Sequence, residues 1–260
     1  MAYFEETDIV RFNGQEVECI KDIVVEEYPL TLFLGGKEIV TLLCSPEDLE
    51  YLVIGFLLSE GFIKNVEDIA NLRMDSKEGI ADVELRRESI FAEKLYGSRT
   101  ITSGCGRAPV FYNVKDSMDT RVLDKDSLKI EPETVIQLMK EFDSMAVVFK
   151  QTGGVHSCAL GMEGIIEIYH EDIGRHNAVD KVLGHGTKNG VDFENSIVVT
   201  SGRISSEMLI KVAKRGIPVI VSRSAPTALS VKLAKKLNIT LIGFVRGKRF
   251  NVYSGFHRIK

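Results

Sequence analysis

Apolar residues recur in two different rhythms along this chain, and the change of rhythm divides it near residue 125. Before that point, short runs of β-branched and aromatic residues predict strands at Ile9 to Phe12, Ile23 to Glu26, Leu30 to Leu34 and Ile39 to Leu43. Pro46 to Ser59 predicts one helix, with Ser45 as N-cap, Pro46 at the first helical position and Gly61 beyond its end. A charged, weakly patterned connector follows from Lys115 to Lys129. Val135, Leu138, Met139, Phe142, Met145, Ala146 and Phe149 then recur at steps of three and four, predicting a helix that ends at Gly153-Gly154. Strands and helices alternate from there. Val155 to Leu160 and Ile165 to Tyr169 predict strands around a turn at Gly161 to Gly164, followed by a helix over 176–184. Strand Ile197 to Thr200, helix Ser205 to Arg215, strand Val219 to Ser222, helix Thr227 to Leu237 and strand Ile239 to Val245 complete the series. Alternation of this kind predicts a mixed or mostly parallel sheet with helices on both faces. The expected class is α/β, with a small N-terminal α+β domain over 1–125 and an α/β domain over 126–260.

Composition narrows the class. The chain has 260 residues, 44% hydrophobic and 27% charged, ample material for a core. Met1 to Thr7 carries two glutamates with no apolar run of the signal-peptide kind behind it, and Leu52 to Leu58 is too short to cross a bilayer. The four cysteines, at 19, 44, 105 and 158, form no CxxC pair and no zinc-ligand spacing. These features predict a cytoplasmic protein in a reducing compartment. The net charge of −4 conceals a split, because the segment from Arg203 to Lys260 holds thirteen Lys or Arg and a single acid, Glu207. Such a segment predicts a positive face for a polyanion: nucleic acid, a phosphate-rich cofactor or an acidic protein. Lys232, Lys235 and Lys236 read as a solvated helix face, whereas Arg246-Gly-Lys-Arg249 stands at a strand end.

Three regions carry candidate chemistry. His170 to Lys181 packs seven charged or imidazole side chains around one glycine at a strand-to-helix junction. In open α/β sheets that edge binds ligands, although Arg175, Asp172 and Asp180 would equally serve as a local ion-pair network. The loops after the strands ending at Thr200 and Ser222 each open a helix, whose free N–H groups and dipole favour an anion. With Arg203, Arg223, Arg246 and Arg249 they predict one phosphate-binding rim, though not a P-loop or GxGxxG site. Cys105, in Thr102-Ser-Gly-Cys-Gly-Arg-Ala-Pro109, has glycine on both sides and Arg107 nearby to stabilise a thiolate. It reads as a reactive thiol, with nucleophile, redox sensor and sulfur carrier all open, while Ala108 argues against a dithiol couple. Cys19, Cys44 and Cys158 sit in apolar strand contexts and read as small core residues. Spacing assigns no proton-transfer role to His156, His170 or His176, and at least one of them is expected in the core or in a supporting position.

Six motifs in order, Ser103-Gly-Cys-Gly, Thr152-Gly-Gly-Val-His156, Glu171 to Lys181, Thr200-Ser-Gly-Arg203, Ser222 to Thr227 and Phe244 to Arg249, resemble the formate dehydrogenase accessory sulfurtransferase family, FdhD. The resemblance implies a cytidine-deaminase-like three-layer α/β fold for the C-terminal domain. It implies a sulfur carrier that accepts persulfide sulfur from a cysteine desulfurase on Cys105 and passes it to the molybdenum of a bis-(molybdopterin guanine dinucleotide) cofactor before insertion into formate dehydrogenase. Phe244, Val245, Arg246, Gly247, Lys248 and Arg249 match the cofactor-binding segment, and Arg175, Arg203 and Arg223 would extend it. The cofactor would be a bound substrate, with no intrinsic metal, a homodimeric assembly, and neither nucleic acid nor membrane as partner. Many relatives carry a second cysteine where this chain has Ala108, which leaves direct attack on the outer sulfur as the route. Two rivals differ in class. A zinc nucleoside deaminase would need HxE and PCxxC, and His156 is followed by Ser157-Cys158. A non-catalytic cofactor chaperone would use the same rim without Cys105.

Overall fold

A computed structural model describes residues 4–86, 122–124 and 128–260. The α/β class holds, in three sheets. Strands β1 (Phe4–Asn13) and β2 (Glu16–Val25) form an antiparallel ribbon turned at Gly14, which takes a φ of 66°. Each is longer than the sequence pattern predicts, because 16–22 pairs with 7–13 although much of the ribbon is solvent-exposed and lacks a clean apolar alternation. The second sheet has the order β4 (Lys37–Cys44), β3 (Tyr28–Leu34), β6 (Ile80–Leu85), β5 (Ile69–Asp75), and its last two strands are absent from the sequence expectation.

Helix α1 (Leu49–Glu60) covers that sheet, with Leu52, Val53, Leu57 and Leu58 packed among Leu30, Leu32, Val40 and Val83. It starts three residues later than expected, because Ser45 is not its cap. The Ser45 hydroxyl accepts the Ile173 N–H at 3.1 Å and its own N–H donates to Asp172 at 3.0 Å. Nearly every residue of α1 is buried, since its other side lies on α4 (Arg175–Lys188). Two glycines permit that contact: a Cβ on Gly55 would stand 1.8 Å from the Asp180 carbonyl oxygen, and one on Gly184 would stand 2.0 Å from the Tyr51 carbonyl oxygen.

The third sheet has the order β12 (Arg249–Ser254), β11 (Thr240–Arg246), β10 (Val219–Ser222), β9 (Ile197–Thr200), β7 (His156–Met162), β8 (Ile165–Asp172). Strands β9, β10 and β11 are parallel and read as continuous apolar runs because both their faces are covered. Helices α4, α5 (Ser206–Lys214) and α6 (Ala228–Leu237) contribute Val179, Met208 and Ala234 to one core layer. Helix α2 (Pro132–Met145) contributes Val135, Leu138 and Phe142 to the opposite one. The helix expected to continue through Phe149 is interrupted at Ala146, and a short helix α3 (Val147–Thr152) follows. Glu171 explains the break, as its carboxylate accepts the N–H groups of Val148 and Phe149 at 3.0 and 3.1 Å and so caps a new helix start. The α3 helix does end at Gly153, in the left-handed region, as expected.

Candidate functional site

Strand direction decides what meets at the carboxyl edge of the six-stranded sheet. Parallel β9, β10 and β11 end there at Thr200, Ser222 and Arg246, so the loops carrying Arg203 and Arg223 and the hairpin carrying Arg246 share one edge. Antiparallel β7 begins at the same edge, with Cys158 opposite Thr200 and His156 opposite Asp172 at the end of β8. Arg175 opens α4 three residues after β8 ends, and the stem of its side chain lies on Gly202, where a Cβ would come 3.1 Å from Arg175 Cβ. The elements carrying Arg175, Arg203, Arg223 and Arg246 therefore share one edge, and His156 and Ser201, which the sequence did not assign to a rim, lie at the same edge.

These cations are not equivalent. Arg203 is exposed, whereas Arg223 donates from Nη1 to Asp143 of α2 at 3.0 Å, which neutralises part of its charge. Arg246 and Arg249 face each other across the β11–β12 hairpin, with exposed Gly247 and Lys248 between them. Like charges placed directly opposite repel, so the hairpin tip is electrostatically suited to an anion. The bulge between Gly243 and Arg246 turns Phe244 to a φ of 55°, and the Phe244 N–H donates to the Ser224 carbonyl at 3.1 Å, fastening the hairpin to the loop after β10. Val245, by contrast, points its side chain into the core.

Free helix N-termini contribute less than the sequence suggests. Ser205 and Thr227 accept the N–H groups of Met208 and Ser230, capping α5 and α6 themselves. Gly174, the N-cap of α4, offers no side chain of that kind. The basic tail is also partly consumed within the fold. Lys211 pairs with buried Asp180 at 2.5 Å, Lys214 and Arg215 donate to the Ser59 and Lys64 carbonyls, and fully buried Arg258 donates to Asn238. Lys232, Lys235 and Lys236 form the exposed face expected of them.

The His170 to Lys181 cluster is largely an interlock. Asp172 and Lys181, each with a fully buried side chain, pair at 2.7 Å. Asp172 also accepts N–H groups from Ser45, Gly174 and Asn177, and Lys181 donates to the Ser45 carbonyl. Asp180 accepts the Ser59 hydroxyl at 2.5 Å. His170 lies 2.9 Å from Asp48 and 2.8 Å from His185, whose ring stacks on Tyr51. The cations of the two buried pairs are lysines. Arg175 belongs to the rim, where burial first and then the guanidiniums of Arg175 and Arg203 hold the His156 imidazole below its ordinary range. Burial, Lys211, Arg175 and His156 push His176 down to about 3.

The reactive-thiol candidate, Cys105, lies outside the described residues together with Arg107 and Ala108. Cys44 and Cys158 are buried as expected, and burial drives both thiols upward, Cys44 to about 12, away from thiolate chemistry. Cys19 is exposed on the ribbon rather than in a core, and among the described residues no layer packs over that part of β2.

A sequence model of the FdhD/NarQ family matches residues 25–260. The chain belongs to that family. The FdhD/NarQ match includes the whole carboxyl edge and the Cys105 segment and leaves out β1 and nearly all of β2. A protein of Listeria monocytogenes serotype 4b (strain F2365) named sulfur carrier protein FdhD is 43% identical over 252 residues, covering 96% of this chain and 97% of its own. One of the same name from Bacillus subtilis (strain 168) is 43% identical over 253 residues, covering 97% and 96%. A crystal structure from Desulfotalea psychrophila, named for a formate dehydrogenase accessory protein, superposes with a TM-score of 0.80 at 29% identity over the full length of both chains. Among the described residues no group of three or more His, Cys, Asp or Glu is placed to hold a metal ion, and no helix is long and apolar enough to cross a membrane.

Proposed function

We propose that this protein is a sulfur carrier in the maturation of formate dehydrogenase, with Cys105 as the carrying residue and the carboxyl edge as the seat of a guanine-dinucleotide molybdenum cofactor. The observation that supports it most is similarity over nearly the whole chain to proteins named sulfur carrier protein FdhD. The cofactor's two pyrophosphates match the chemistry of an edge bearing Arg175, Arg203 and the paired Arg246 and Arg249. In this reading Cys105 thiolate attacks the outer sulfur of a cysteine desulfurase persulfide. The new S–S bond forms on Cys105 as the desulfurase cysteine leaves as thiolate. The acceptor then supplies the electron pair that breaks the S–S bond, and Cys105 returns to thiolate.

Incubation with a cysteine desulfurase and cysteine, read by intact mass, tests the carrier. The wild-type protein is expected to gain sulfur that cyanide releases as thiocyanate, and Cys105→Ala is expected to gain none while still binding GDP. Sulfur delivery to formate dehydrogenase that survives in Cys105→Ala would replace the carrier by a cofactor chaperone using the same edge.

A further inference from the structure

His156 is an imidazole seated within the cationic edge. From β7 it has Asp172 opposite on β8, Arg175 and His176 on α4, and Ser201 and Arg203 on the loop after β9. Its Nδ1 lies 3.5 Å from the Ser201 hydroxyl. The carboxylate in register opposite it, Asp172, has its oxygens engaged by Lys181 and by N–H groups of Ser45, Gly174 and Asn177, which leaves little of its charge for His156. Glu207 on α5 turns toward His176, at 3.6 Å. Among the described residues, the guanidiniums of Arg175 and Arg203 disfavour a charged ring, and the one carboxylate that favours it, Asp172, is engaged by Lys181.

That balance reverses when a multiply charged anion arrives. We propose that His156 is a proton-linked anion ligand of this edge, taking up a proton as a pyrophosphate group binds between Arg175 and Arg203, so that three cations rather than two hold the bound anion. The inference rests on reading the edge as the cofactor's phosphate site, and it adds the residue and the regulation. In the free protein burial and the two guanidiniums keep the ring neutral. A neutral ring lessens charge repulsion across the rim before an anion binds, and bound phosphates provide the opposite charge that favours imidazolium. Linkage then requires reciprocity: if the anion raises the affinity for a proton, the proton raises the affinity for the anion by the same factor. Affinity grows as pH falls through the pKa of the bound form and levels off below that of the free form, with a limiting slope of about tenfold per pH unit for one proton.

Calorimetric titration of GDP and of inorganic pyrophosphate into the full chain, in buffers of different ionisation enthalpy, measures the protons exchanged. Wild-type protein is expected to take up more protons than His156→Gln, a difference in which the ligand's own phosphate ionisation cancels, and to gain several-fold more affinity between pH 8 and pH 6 than the variant does. The His156 imidazole resonances of the wild-type protein, followed by NMR against pH, are expected to titrate at higher pH with ligand than without, a readout independent of how the variant folds. Binding with equal proton uptake in both proteins and an unmoved His156 titration would overturn the proton linkage while leaving the phosphate site standing. Absence of any GDP or pyrophosphate binding to wild-type protein would overturn both.

Discussion

The Lys181 side chain is fully buried, and its partners explain how an amine is accommodated there. Its ammonium has the Asp172 carboxylate at 2.7 Å and the carbonyls of Ser45 and Glu171 at 3.3 and 3.4 Å. The site belongs to both halves of the fold, since Ser45 and Asp172 stand 127 residues apart. Removing one member of a buried pair leaves the other charge stranded, which typically costs about 3–5 kcal/mol. Lys181→Met is expected near the lower end, about 3 kcal/mol, because three N–H groups still solvate Asp172. The double variant Lys181→Met/Asp172→Asn is expected to recover part of that loss. Urea unfolding of the two variants side by side measures both quantities.

Helix α1 shows how an element's character follows from what it contacts. Its sequence, Leu-Glu-Tyr-Leu-Val-Ile-Gly-Phe-Leu-Leu-Ser-Glu, has no solvent face because the four-stranded sheet takes one side and α4 the other. Contact with α4 is backbone to backbone at Gly55 and Gly184. A methyl at Gly184 would lie 2.0 Å from the Tyr51 carbonyl oxygen, and a helix backbone cannot step aside as a flexible side chain does. Gly184→Ala is therefore expected to force the helices apart and to cost about 2–3 kcal/mol or more, despite the better helix propensity of alanine. Circular dichroism melts of this variant test the point, and an unchanged or raised midpoint would contradict the packing described for the pair. Hydrogen exchange adds a spatial check, with faster exchange expected in α1 and α4 together.

At the scale of the whole molecule, histidines held neutral in the native state set the response to acid. Burial is the largest cause in His156, His176 and His185 alike, and it takes His176 to about 3. The unfolded chain binds protons on these rings at its ordinary pKa of about 6.5, so between that pH and the native pKa the unfolded state holds more protons. The contribution of these rings to stability then falls as pH falls below about 6.5, by up to about 1.4 kcal/mol per pH unit for each ring that stays neutral. His176→Gln is expected to flatten the dependence between pH 6.5 and pH 5. Denaturant midpoints at those two values decide the matter, and an equally steep loss in the variant would assign the effect elsewhere. The same scale explains the basic tail: Lys211, Lys214 and Arg215 reach Asp180, Ser59 and Lys64, fastening α5 to its surroundings rather than adding to an outward field.

Local pattern fixed those features that depend on neighbours a few residues away. The runs Ile197 to Thr200 and Val219 to Ser222 announce buried strands, the repeat from Val135 to Phe142 announces an amphipathic helix, and Gly153 marks a helix end, though of the separate helix α3, because such periodicities and turn preferences are encoded within a turn or two of chain. Once those strands are parallel, the residues just after them share an edge, which is how Arg203, Arg223 and Arg246 were legible together as a rim. What the sequence did not show depends on partners far along the chain. Ser45 reads as a helix cap until Ile173 takes its hydroxyl, Glu171 reads as part of a charged cluster until it caps α3, and Arg223 reads as a free cation until Asp143 meets it. Nothing near His156 in sequence indicates that two arginines from separate loops will flank it. Hydrogen bonds and charges are short-ranged in effect and indifferent to chain separation, so tertiary structure alone decided which of these groups became structural and which stayed available at the edge.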